Sequence, residues 1–169
     1  MNKAVDRFKS ALYVLPKIDF FSDGGRGRVT HAIGLGNGLA RNGLRVTMIS
    51  GPGLAQFRHQ LDSDIKIIEI GAQDRNVVIF SKFFWQLKLY SRLKAYLENS
   101  DGQLVITRYA VGNILLQLLM TRGSLGNQIL ALEVNSLAFH QYTAFPKRVR
   151  GSILKAEIGL LNRFDVVYA

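Results

Sequence analysis

The sequence predicts an α/β fold: a doubly wound, mostly parallel sheet with helices on both faces, forming a single domain over residues 1–169. Three observations predict it. Short apolar runs rich in β-branched residues recur along the chain, and they are continuous rather than alternating, as in strands covered on both faces. Segments with helical periodicity separate nearly every pair of runs. A glycine-rich stretch follows the first run and leads into the first helix.

The elements follow in order. Residues 10–16, SALYVLP, are apolar and end in proline, which reads as a buried strand. Residues 44–50, LRVTMIS, form a second strand, stopped by the turn sequence GPG. The third is IKIIEI at 65–70, the fourth QLVIT at 103–107, the fifth ILALEV at 129–134 and the sixth DVVYA at 165–169. Helical patterns occupy 29–42, 82–98, 110–122 and 146–163. The link GPGLAQFRHQLDSD between the second and third strands is the least regular, with room for a short helix.

Seven glycines fall within residues 22–46. Stepping 100° per residue, Val29, Ala32, Ile33, Leu39, Ala40 and Gly43 cluster within about 60° of Gly36. Gly36 therefore sits at the centre of the apolar face, where it lets helix and sheet approach closely. Gly34 and Gly38 point the other way, beside Thr30, His31 and Arg41, so packing on the sheet does not explain them. Two readings stay open: tolerated surface glycine, or close approach by a ligand or another polypeptide. Gly43, after Arg41-Asn42, reads as a left-handed helix cap. Gly24, Gly25 and Gly27 read as a turn before the helix, whose backbone N–H groups converge where orphan donors and the helix dipole favour anions. Arg26 and Arg28 add positive charge there, and arginine holds phosphate by two hydrogen bonds.

Two phosphate motifs are tested against this stretch. The Walker pattern needs Gly-Lys-Ser/Thr at the helix start, which is missing. The dinucleotide fingerprint needs a tight turn directly after the strand, but residues 16–23 intervene, and Gly34-Leu35-Gly36-Asn37-Gly38 lies inside the helix.

Composition is that of a globular protein, 48% hydrophobic and 20% charged. With no cysteine there is no disulfide framework or thiolate metal site. His31, His59 and His140 share no ligand spacing, so no metal is expected. A net charge of +10, from 22 basic and 12 acidic residues, attracts polyanions: nucleic acid, an anionic membrane surface or phosphorylated small molecules. No signal peptide is expected from the N-terminal pattern, and the longest apolar stretch, at 111–120, is too short to span a bilayer. Those features read as a soluble, cytoplasmic protein, with a membrane surface as a possible neighbour. The helix at 82–98 interleaves aromatic side chains with Lys82, Lys88, Arg92 and Lys94, a pattern that suits either a core with a solvated rim or an anionic lipid surface.

Ligands of doubly wound sheets bind beyond the carboxyl ends of the strands. That rule selects Gly24, Gly25, Arg26 and Arg28 after the first strand, and Arg108, Tyr109 and Asn113 after the fourth. After the fifth it selects Glu133, Asn135 and Ser136, with His140, Lys147, Arg148 and Arg150 beyond. Arg108 suits an acidic or phosphorylated group, or pairing with Glu133. His31 lies on the outward face of its helix.

A strand, paired glycines, a helix with histidine and then L-A-R-N-G-x-x-V-T resembles the start of retaining glycosyltransferases of the GT-B class, in particular the GT4-like family. The matching residues are Gly24-Gly25, His31, Leu39 to Gly43 and Val46-Thr47; EVNSL at 133–137 and the segment 155–169 are similar to later parts of the same domain. The resemblance implies a Rossmann-like, acceptor-binding N-terminal half, with the donor-binding C-terminal domain absent from this chain. It implies transfer of a sugar from a nucleotide-sugar co-substrate, without other cofactor or metal, to a glycan or lipid-linked acceptor. It assigns the donor diphosphate to Gly24, Gly25, Arg26 and Arg28, the acceptor to Arg108, Tyr109, Asn113, Glu133, Ser136 and His140, and the catalytic contact to Asn135. Many relatives carry histidine or arginine where Asn135 stands. Two alternatives come from other classes: a basic nucleic-acid-binding module, and a stand-alone nucleotide-cofactor-binding Rossmann protein.

Overall fold

The protein is described by a computed structural model covering residues 8–15, 26–70, 79–97, 103–109, 114–122, 128–134 and 146–168, with backbone alone at 26, 28, 79–83 and 85. The chain alternates strand and helix: β1 (Ser10–Leu15), α1 (Arg26–Arg41), β2 (Arg45–Ser50), a 3-10 helix (Leu54–Gln60), β3 (Lys66–Glu69), α2 (Ile79–Leu97), β4 (Gln103–Arg108), α3 (Ile114–Arg122), β5 (Ile129–Glu133), α4 (Lys147–Leu161) and β6 (Val166–Tyr168). The six strands are all parallel, in the order β3-β2-β1-β4-β5-β6. This is a Rossmann-like, doubly wound sheet. Its order reverses at β1, where strands added on one side give way to strands added on the other.

That reversal decides which helix covers which face. Crossovers of one hand fall on opposite faces of a sheet when the strand order runs in opposite directions. Accordingly α1 packs Val29, Ala32 and Ile33 against Ala11, Tyr13, Met48 and Ile106, and the 3-10 helix adds Leu54 on the same side. On the other side α2 sets Leu89 and Leu93, α3 sets Leu116 and Met120, and α4 sets Leu160 against Leu12, Val14, Val105 and Leu132. β1 is buried at every residue, which is why it reads as an unbroken apolar run. The edge strands β3 and β6 are more exposed, so the expectation of cover on both faces holds only for the central strands.

The glycines of α1 divide by environment. Gly36 is buried, and the Cβ of an alanine there would lie 2.9 Å from Met48 Sδ, so its bare backbone sets the helix-to-sheet distance. A Cβ at Gly34 or Gly38 would meet nothing within 4 Å. The helix closes on Gly43 at φ +85, with Leu44 N–H donating to Leu39 O and Gly43 N–H to Ala40 O, the paired bonds of a Schellman cap. Two helix starts lie three residues earlier than expected: α2 begins at Ile79, and α1 at Arg26, so Arg26, Gly27 and Arg28 form its first turn rather than a preceding loop.

Candidate functional site

Register places the site. Arg108 is the last residue of β4 and Glu133 the last of β5; they pair across the strands, and Glu133 pairs in turn with Tyr168 of β6. Residues opposite one another in register share a face, here the one that α1 covers. Tyr13 lies on that face too, opposite Ile106 of β4, which is opposite Ala131 of β5. Tyr13 and Glu133 together bridge two strand spacings, roughly 9.6 Å. Ala131 is small enough to leave space below the Glu133 carboxylate.

Three side chains from three other elements meet at that carboxylate. Tyr13 donates its hydroxyl to Glu133 Oε2 at 2.7 Å. Arg108 Nε lies 3.3 Å and His31 Nε2 3.1 Å from Glu133 Oε1. Glu133 is 2% exposed, Arg108 16% and His31 48%, so the cluster grades from core to solvent. Carboxylates are rarely this buried unless charge and hydrogen bonds compensate them, and here Arg108 supplies charge while Tyr13 supplies a bond. Gln117 of α3 donates to the Arg108 carbonyl at 3.0 Å, fixing the end of β4 from below. Burial first, then the Glu133 charge and hydrogen bond, push the Tyr13 phenol far above its ordinary value, so it stays a protonated donor. Burial and Glu133 push the Tyr168 phenol up in the same way. Of six side-chain atoms buried without a hydrogen-bond partner among the described residues, two, Arg108 Nη1 and the Tyr168 hydroxyl, lie at this cluster. Two unmet donors flanking one carboxylate constitute a demand for an acceptor.

The chemistry divides accordingly. Glu133, enclosed by three donors, holds Arg108 and His31 in place. The groups with capacity left over are the Arg108 fork, the Tyr168 hydroxyl and the half-exposed His31 ring. Such a set has the donors that a hydroxyl or an anionic oxygen requires.

The residues selected from sequence fall into four groups. Arg108 and Glu133 come together as their strand-end positions suggested. Tyr109 turns to the opposite face: its ring is buried in the α2–α4 side of the core and its hydroxyl donates to Glu157 Oε1 at 2.5 Å, while its N–H donates to the Glu133 carbonyl. Arg26 and Arg28 stand in the first turn of α1. Gly24, Gly25, Asn113, Asn135, Ser136 and His140 lie outside the described residues. Sequence reasoning passed over Tyr13 and Tyr168 and left His31 on the outward helix face. A signal for Tyr13 was present, since a tyrosine inside an apolar strand needs a partner for its hydroxyl. For His31 the resemblance alone singled out the position, with an interdomain or donor contact as its implied role; its partner Glu133 lies on a strand 102 positions further on, as their numbers state.

The sequence matches no protein-family model and no curated protein. Among the described residues no helix is long and apolar enough to cross a membrane, and no three His, Cys, Asp or Glu side chains gather as a metal site would require.

Proposed function

We propose that this chain is the acceptor-binding half of a retaining glycosyltransferase of the GT-B, GT4-like kind, taking a sugar from a nucleotide-sugar donor to a glycan or lipid-linked acceptor at the cytoplasmic side of a membrane. The observation that supports this reading is the Tyr13–His31–Arg108–Glu133 cluster at the carboxyl ends of β1, β4 and β5, beside the point where the strand order reverses. Sugar acceptors are recognised by convergent hydroxyl and carboxylate partners, and the unmet Arg108 and Tyr168 donors suit an acidic or phosphorylated acceptor. In this reading the chain orients the acceptor, while Gly24, Gly25, Arg26 and Arg28 face the donor diphosphate. Arg26 and Arg28 belong to the first turn of α1, and a helix N-terminus favours an anion. Catalysis would then come from positioning and from electrostatic stabilisation of the departing diphosphate, with a donor-binding domain completing the cleft.

The test is two-dimensional NMR of the labelled chain, titrated separately with glycan acceptors and nucleotide-sugars. Glycans are expected to shift resonances around His31, Arg108 and Glu133, and Arg108→Ala to abolish the response. A second reading, a stand-alone nucleotide-cofactor protein, draws on the strand order, which dinucleotide-binding sheets share. Micromolar binding of NAD or FAD by calorimetry, with no glycan response, would replace the first reading by the second.

A further inference from the structure

The charge of this protein is distributed by layer. The described parts of α2, α3 and α4 contain a single acidic residue, Glu157, and it is buried against Tyr109. On the outward side of the same helices α2 exposes Lys88, Arg92 and Lys94, α3 exposes Arg122, and α4 exposes Arg148 and Lys155. The other layer is mixed in sign: Asp62, Asp64 and Glu69 stand beside the basic residues, and Arg41 pairs with Asp62 at 3.3 Å. Among the described residues, positive charge therefore outweighs negative more on the α2–α3–α4 layer than on the other.

Three of the five large apolar side chains exposed among the described residues lie on that face; the other two, Val166 and Val167, are on the edge strand β6. Phe84 of α2 is 66% exposed, one turn before Lys88 and two before Arg92, so the three form one stripe. On α4 the outward stripe is Arg148, Ser152, Lys155 and Gly159 by helical periodicity. Val149, 43% exposed, and Ile158, 47% exposed, flank it on either side. Inward, α2 commits Leu89, Leu93 and Leu97 and α4 commits Leu160, so the outward residues are surplus to the core.

From this we infer that the α2–α3–α4 layer docks on an anionic lipid surface, its arginines and lysines against headgroup phosphates and Phe84, Val149 and Ile158 inserted between them. Positive charge alone suits nucleic acid equally. Aliphatic side chains such as Val149 and Ile158 gain nothing from a phosphate backbone, whereas the boundary between headgroups and acyl chains accepts them. The inference extends beyond the single helix whose sequence suggested it, since α4 contributes both charge and apolar contact. It does not depend on the transfer reaction, because the face lies across the sheet from the Glu133 cluster.

Co-sedimentation of the chain with vesicles made of equal parts phosphatidylcholine and phosphatidylglycerol tests it, with pure phosphatidylcholine vesicles alongside. Binding to the anionic vesicles alone is expected. Lys88→Glu and Lys155→Glu should each weaken it about fivefold or more. Arg45→Glu makes the same change in net charge at the exposed start of β2 and should have little effect by comparison. Phe84→Ser, which leaves charge untouched, should weaken binding roughly fivefold. Each variant is checked for native circular dichroism first. The inference is overturned if anionic vesicles fail to bind at low salt, if Arg45→Glu weakens binding as much as Lys88→Glu, or if duplex DNA or RNA binds as tightly and Phe84→Ser changes nothing.

Discussion

Glu133 is the residue on which the site turns, and its surroundings predict what its loss would do. Removing one partner of a buried ion pair leaves the other charge uncompensated, at a cost of about 3–5 kcal/mol. Glu133→Gln is therefore expected to lower the free energy of unfolding by about that much, read from urea denaturation, because Arg108 stays behind at 16% exposure. Tyr13→Phe leaves Glu133 Oε2 short of a donor and should cost about 1.5–3 kcal/mol, the worth of a bond to a charged group. In the Glu133→Gln background the Tyr13 substitution should cost much less, since the two share one interaction. The phenols also impose a pH dependence. Tyr13 and Tyr168 are raised in the folded state, so the stability they contribute is complete below the unfolded phenol value of 10.0 and falls as pH rises beyond it. Stability should decline more steeply above that pH in the parent chain than in Tyr168→Phe; equal slopes would refute the burial of that hydroxyl.

Helix α1 is the element whose glycines separate local cost from tertiary use. Gly34 and Gly38 each forgo about 0.8–1 kcal/mol relative to alanine, and a Cβ at either would meet nothing in the chain. Gly34→Ala and Gly38→Ala are expected to raise the thermal midpoint. If the proposed ligand approaches α1 closely, the same substitutions will weaken its binding while they stabilise the fold; unchanged binding would leave both as tolerated surface positions. Gly43 behaves oppositely. At φ +85 a side chain is strained whatever the space, so Gly43→Ala should destabilise by about 1 kcal/mol or more. The sequence pattern puts the α1 start three residues later than the structure does. Gly27 and the two flanking arginines are poor helix-starting signals, and no acidic residue or side-chain cap marks the first turn.

For the whole molecule, two separations matter. The reversal of strand order puts α1 on one face and α2, α3 and α4 on the other. The polar cluster at the strand ends belongs to the first face and the cationic, partly apolar surface to the second. Under the two proposals, the small ligand and the charged surface therefore occupy opposite faces and do not compete. The charge contrast also predicts salt dependence: association with any polyanion should weaken strongly as ionic strength rises and the Debye length shrinks to about 8 Å at physiological salt. Binding that ignored salt would show that the exposed apolar residues act alone.

Sequence by itself determined the alternation of strand and helix, the parallel sheet, the cap at Gly43 and the packing role of Gly36. These follow from hydrophobic period and from turn chemistry, which act within a few residues. It also brought Arg108 and Glu133 forward, because strand ends are recognisable and ligands gather there. Tertiary structure alone decided the strand order, the turning of Tyr109 into the opposite core, and the meeting of Tyr13 and His31 at Glu133. The Tyr13–Glu133 contact spans 120 residues of chain. No local pattern encodes such a meeting; it depends on which strands become neighbours and which face each helix crosses to cover.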